Sequence, residues 1–171
     1  MSSRRRTRSL AIILTAVILA QNILFYSLVV VRPTRDFSMG LKTVITGIGV
    51  YLAENSGEED VIAAPDIGAV GFFSGRRILD LGGLVSPEIN RMRAEIDVER
   101  IIDEGLYLDL GADYLMDRSV EPMRFSGKII RGHLFTPVMS GSVDNLGIRM
   151  QQPVTYVLYS IEKIGDGSIE R

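Results

Sequence analysis

The chain has 171 residues, 46% of them apolar and 23% charged, with 17 Gly, 6 Pro, one His and no Cys. That apolar fraction suits one modest folded domain and excludes a disordered chain, while ordinary Gly and Pro contents exclude collagen-like and low-complexity architectures. Without cysteine there is no disulfide framework, thiol nucleophile or haem attachment, and one histidine leaves no ligand set for a zinc finger.

The net charge of −2 hides an asymmetry. Residues 1–31 carry Arg4, Arg5, Arg6 and Arg8 and no acid; the remaining 140 residues hold 15 bases against 21 acids, a formal −6. Leu10 to Val31 is a run of 22 residues without a charge. As a helix it is about 33 Å long, enough for a hydrocarbon core of about 30 Å. A basic start and an apolar run also mark a cleaved signal peptide. The run exceeds a usual signal core, and Ile18 is a poor fit before a cut after Ala20, so an uncleaved anchor is the favoured reading. Four Arg before the span, against Arg32, Arg35 and Lys42 after it, favour slightly a cytoplasmic N-terminus and an extracytoplasmic globular part in the cell membrane. An acidic globular part without clustered Lys and Arg predicts no nucleic-acid partner.

Gln21 and Asn22 lie in mid-span, where amides facing lipid are poorly satisfied. Ala16 and Ala20, with Ser27 near the same stripe, form a small-xxx-small pair that permits close helix approach. Ala16, Ala20, Gln21 and Asn22 are therefore the candidate packing residues toward a polytopic membrane partner. The alternative is a single span that tolerates two amides.

Pro33 is expected to break the helix at the membrane surface. A second helix is predicted from Ser38 to Asn55, with Leu41, Val44, Ile45, Ile48 and Leu52 on its buried face and Gly47 and Gly49 weakening it. Val61–Ala64 and Arg77–Leu81 read as short strands joined by a crossover with helical turns over Ile67–Phe73. Ser86-Pro87-Glu88 is a helix start with a Ser cap, and a renewed start near Asp97 ends at Gly105. Ala112–Asp117 reads as a third strand, followed by antiparallel strands over Lys128–Ile130 and Val154–Ile161. The fold class is α/β: a small two- or three-layer domain with a mainly parallel sheet and late antiparallel strands. The predicted organisation is a basic tail (1–9), a span (10–31), an amphipathic connector (32–56), the extracytoplasmic domain (57–164) and a flexible tail (165–171).

Asp66 and Asp80 fall at the carboxyl ends of the first two strands, the edge at which open α/β sheets bind ligands. With Gly68, Ser74 and Arg76 of the intervening run they make the candidate ligand-binding set. The bland alternative has Asp66 capping the helix at Ile67 and Asp80 paired with Arg76 or Arg77. Gly68, Gly71 and Gly75 lack the spacing of a phosphate loop. Gly82-Gly83 reads as a turn needing positive φ. His133 has no nucleophile elbow to serve and reads as a surface or packing residue. Phe72, Phe73, Tyr107 and Tyr114 read as core aromatics. No catalytic residue, metal or cofactor is assigned.

The stretch from Val61 to Glu88 carries Pro65-Asp66-Ile67-Gly68, then Phe72-Phe73-Ser74-Gly75-Arg76, Asp80-Leu81-Gly82-Gly83-Leu84 and Ser86-Pro87-Glu88. It resembles a segment in the extracytoplasmic C-terminal region of prokaryotic polytopic glycosyltransferases of the GT-C architecture, those similar to protein mannosyltransferases and aminoarabinose transferases. Many such relatives have His where this chain has Pro65 and Tyr where it has Phe72. In that family a polyprenyl-phosphate sugar donor binds among many membrane helices and the catalytic acid sits in an early outward loop. The resemblance therefore implies an accessory domain that works with a polytopic partner on a saccharide or lipid-linked sugar. A free-standing saccharide- or peptide-binding module is the alternative.

Overall fold

The computed structural model describes residues 2–144 and 152–165. Arg6–Asn55 form one continuous helical rod, about 75 Å long at 1.5 Å per residue. It comprises α1 (Ser2–Phe25), α2 (Arg32–Gly40) and α3 (Thr46–Asn55), joined by π-helical stretches at Tyr26–Val31 and Leu41–Ile45. The expected break at Pro33 does not occur. In a regular helix the proline lacks an N–H and crowds the carbonyl four residues back. Here the wider π-helical stretch precedes it, which relieves that crowding. Thr34 Oγ1 also donates to Val30 O at 2.7 Å.

Along α1 the large side chains, among them Leu10, Ile13, Leu14, Val17 and Leu24, are exposed. This helix is long and apolar enough to cross a membrane. Further along, the same rod becomes a core helix. Val44, Ile45, Ile48 and Leu52 are buried, as their spacing predicts; the side chain of Leu41 lies outside the described ones. Gly49 has a use that helix propensity hides. A Cβ there would lie 2.8 Å from Phe73 Cβ and 3.3 Å from the Ala69 and Val70 carbonyl oxygens. Its absence lets α3 touch α4 (Ile67–Ser74).

Six strands form one mixed sheet in the order β2-β1-β3-β6-β5-β4. β1 (Val61–Ala64), β2 (Arg77–Asp80) and β3 (Tyr114–Ser119) are parallel. β6 (Val154–Lys163), β5 (His133–Val143) and β4 (Ile129–Ile130) continue the sheet antiparallel. Alternate residues of β1 face opposite cores: Val61 and Ala63 meet the side of α5 (Pro87–Arg93) and α6 (Val98–Asp103), whereas Ile62 and Ala64 meet α3 and α4. The domain is thus three-layered, and the connector's second half is one of its layers.

β5 is the element that sequence reading missed. Pro137 and Gly141 interrupt its apolar pattern, and the register shifts between Pro137 and Met139. Beyond Phe135, which still bonds Lys128 and Gly127, its outer side has no partner strand among the described residues, so Pro137 sacrifices no ladder donor there. Gly141 and Gly47 admit the neighbouring layer: a Cβ at Gly141 would meet Val44 at 2.9 Å, and one at Gly47 would meet Met139 at 3.2 Å. The two phenylalanines expected in the core are outside it. Phe72 is 81% and Phe73 43% exposed, because a helix of eight residues packed on both α3 and the sheet has no buried face left for them. Tyr107, by contrast, is fully buried. Of the predicted tail, residues 166–171 lie outside the described residues.

Candidate functional site

β1, β2 and β3 run parallel, so Pro65, Gly82 and Ser119 emerge on one edge of the sheet. That edge also faces α1. Going down β5 from Met139 through Gly141 to Val143, the rod residues met are Gly47, Val44 and Gly40, each closer to α1. Val143 pairs with Val154, and Thr155 with Ser119 of β3, so the carboxyl ends of the parallel strands share this end, the one nearer α1.

A cavity of about 460 Å³ opens there, lined by Pro65, Gly82, Arg93, Glu99, Asp117, Arg118 and Arg124 together with Val98, Ile102, Ser119, Val120, Gln152 and Val154. Its size suits a small ligand. Two ion-pair clusters build its walls. Asp117, within β3 and 2% exposed, accepts from Arg124 Nε at 2.9 Å and Nη2 at 2.7 Å. Arg124 Nη1 reaches Asp103 at 3.0 Å, and its guanidinium lies 4.6 Å from the Phe125 ring centre. The bonds to Asp117 raise the Arg124 pKa further, so this cation is permanent. The second cluster joins Arg118 to Asp66 through Nη1, at 3.0 and 3.1 Å, while Tyr156 Oη donates to Asp66 Oδ2 at 2.8 Å. Burial first, then the Asp66 charge, push the Tyr156 phenol up, against the pull of Arg118. Arg93 is exposed over Gly83, whose φ is +75°, and makes no ion pair among the described residues.

The candidate set read from sequence is divided by this geometry. Asp66 stands at the rim, at the N-cap position of α4, but its carboxylate serves Arg118 and Tyr156 and makes no cap bond. Gly68 is exposed beside it, with nothing within 4 Å of where a Cβ would sit. Asp80 is 1% exposed and lies beneath the cavity floor. Its Oδ1 accepts the Gly82 N–H at 2.8 Å, and its Oδ2 accepts those of Leu84 at 2.6 Å and Val85 at 2.9 Å. It therefore pairs with neither Arg76 nor Arg77, and the Ser86 hydroxyl, expected to cap α5, instead accepts the Asp80 N–H at 2.8 Å. Ser74 and Arg76 are at the opposite sheet edge, since α4 carries the chain there. Arg76 Nη2 donates to the carbonyls of Ala53 at 3.0 Å and Ser56 at 2.9 Å, and Nε to Ser56 Oγ at 2.9 Å, closing the end of α3. Ser74 Oγ accepts the Arg76 N–H.

His133 is also remote, at the far end of β5, with Nδ1 2.9 Å from Arg131 O. In the span, Ala16, Ala20, Gln21 and Asn22 are all exposed, and Asn22 Nδ2 donates to Ile18 O at 2.8 Å. One of its amide bonds is thereby made within the helix. The cavity residues missed by sequence reading are Arg93, Glu99, Arg118 and Arg124. Asp117 was within reach, as the terminal residue of the third predicted strand. The Arg124 partnership crosses a turn with Met123 at φ 57°, which no local pattern announces. Chemically, the cavity offers guanidinium donors, one of them without an ion pair among the described residues, and the Glu99 carboxylate beside apolar walls. It can hold a polar or anionic group; among the described residues no cluster of His, Cys, Asp and Glu could hold a metal ion.

A model of a family described as a domain of unknown function, DUF8728, matches residues 37–159. No curated protein and no solved structure matches the chain. The chain belongs to the DUF8728 family.

Proposed function

We propose that this DUF8728 chain is a membrane-anchored accessory domain, cytoplasmic at its N-terminus and extracytoplasmic in its globular part. In this reading its membrane-side cavity holds the polar head of a saccharide or lipid-linked sugar handled by a polytopic glycosyltransferase-like partner, and the chain performs no catalytic step by itself. The observation that carries the reading is the position of the cavity. It opens on the sheet end nearest the span, where the headgroup of a lipid-linked substrate is within reach, and it presents Arg93, which has no ion-pair partner among the described residues. The resemblance of residues 61–88 supplies the ligand class, and the amides of the span supply the reason for a membrane partner.

The test has two arms. A photo-crosslinker at Asn22 should trap a multi-span protein in native membranes; capture of lipid alone defeats the accessory reading. In detergent micelles, a polyprenyl-phosphate hexose should slow amide exchange around Gly82 and Ser119, and Arg93→Ala should abolish the effect. Protection by a free oligosaccharide, together with lipid-only crosslinks, would favour the free-standing binding module, a reading that the size of the cavity also supports.

A further inference from the structure

The membrane-side end of the domain exposes apolar side chains that the fold does not need there. Leu84 is 87%, Val85 64% and Val120 68% exposed. Leu84 and Val85 lie in the loop after β2, and Val120 follows β3, so three apolar tips project past the carboxyl ends of the parallel strands. Ordinary exposed side chains need no explanation, but these share one edge, and that edge points along the rod toward the span. The loop carrying Leu84 and Val85 is also held rigidly, since both their backbone N–H groups are bonded to the buried Asp80 carboxylate. A carboxylate spent on fixing two exposed apolar residues implies that their placement matters.

We propose that this edge is a bilayer-docking surface: Leu84, Val85 and Val120 enter the headgroup–acyl boundary of the leaflet from which the span emerges. The proposal rests on α1 crossing a membrane and is independent of what the cavity binds. The occupant is a lipid surface because of continuity with the span. From Val31, the end of the apolar run, to Gly40, which packs on Val143 at this edge, is about 14 Å of helix. Headgroups fill about 5–8 Å of that, and the loops reach back toward the membrane beyond the strand ends. A usual helix tilt of about 20° closes the gap further. Glu88 and Glu121 flank the tips, so the contact is driven by apolar insertion. Surface-lying apolar faces enter about 5–10 Å into this zone.

The chain has no cysteine, so single-cysteine variants carry a nitroxide without background. Full-length protein is reconstituted into vesicles of phosphatidylethanolamine and phosphatidylglycerol, and label depth is read from collisions with oxygen and with a water-soluble nickel chelate. Labels in Leu84→Cys and Val120→Cys should report the headgroup–acyl boundary, between a hydrocarbon reading for Leu19→Cys and a fully aqueous one for Ile129→Cys at the opposite sheet end. Leu84→Glu with Val120→Glu, both at exposed sites, should return a label in Val85→Cys to the aqueous reading. Aqueous readings at 84 and 120, with hydrocarbon at 19, overturn the docking surface while leaving the anchor intact. An aqueous reading at 19 overturns both.

Discussion

Asp80→Asn separates a structural from a ligand-binding carboxylate. The two oxygens of Asp80 accept three backbone N–H groups, Gly82 on Oδ1 and Leu84 and Val85 on Oδ2, in a site only 1% exposed. Asparagine has nearly the same shape but one acceptor oxygen. If the oxygen stays toward Leu84 and Val85, the amide nitrogen faces the Gly82 donor; if it flips, two donors lose their partner. At least one bond to a charged acceptor is therefore lost, about 1.5–3 kcal/mol, and the survivors fall from charge-assisted to neutral strength. The total is about 3–5 kcal/mol, a large share of the 5–15 kcal/mol typical of a domain. Urea unfolding of the full chain in detergent micelles should show that loss, and amide exchange at residues 82, 84 and 85 should accelerate even under native conditions. If the asparagine variant unfolds with the parent and only ligand binding changes, Asp80 is a ligand group and the reasoning from its contacts is wrong.

Gly49→Ala gains about 1 kcal/mol of helix propensity but drives a methyl against Phe73 Cβ and two carbonyl oxygens. Overpacking of about 1–3 kcal/mol should win, lowering the unfolding midpoint; a rise would mean that α3 and α4 part freely. Tyr107 Oη is buried and finds no hydrogen-bond partner among the described residues. Tyr107→Phe should therefore stabilise the domain by about 1 kcal/mol, and a clear loss in thermal melts would refute the unpaired hydroxyl. Tyr107 and Tyr156 both have phenols raised above the ordinary 10.0, chiefly by burial. The folded state then holds those protons more tightly than the unfolded one. Their stability contribution is complete below about pH 10 and falls as pH rises beyond it, by about 1.4 kcal/mol per unit for each tyrosine. Melting temperatures unchanged between about pH 9 and 11 would contradict this linkage.

The first half of the domain was legible because its signals are local. Val61–Ala64 and Arg77–Asp80 are short apolar runs bounded by turn residues, and the i, i+3, i+4 stripe from Val44 to Leu52 marks its own buried face. Where pairs distant in sequence decide the outcome, reading failed. Gly141 and Pro137 look like breakers until Val44 and the open edge of β5 are placed beside them. Asp80 is a local case that also escapes the pattern: its partners, the N–H groups of Gly82, Leu84 and Val85, are main-chain donors that no side-chain spacing reveals. The strand-end argument points to the edge at which the cavity opens, yet the cavity is lined chiefly from β3 and the segments after it. Arg118 and Arg124 meet their acids only across the sheet or a turn, so their spacing alone carries no signal.

The unbroken helix from Arg6 to Asn55 makes the protein a crank. A flexible tether would let the globular part swivel, whereas here the exposed apolar stretch and the core-forming stretch belong to one continuous helix. Adding a single residue between them turns the domain by about 100° and lifts it by about 1.5 Å. Any torsion imposed on α1 by a neighbour arrives, undamped by a hinge loop, at the layer formed by Ile45, Ile48 and Leu52.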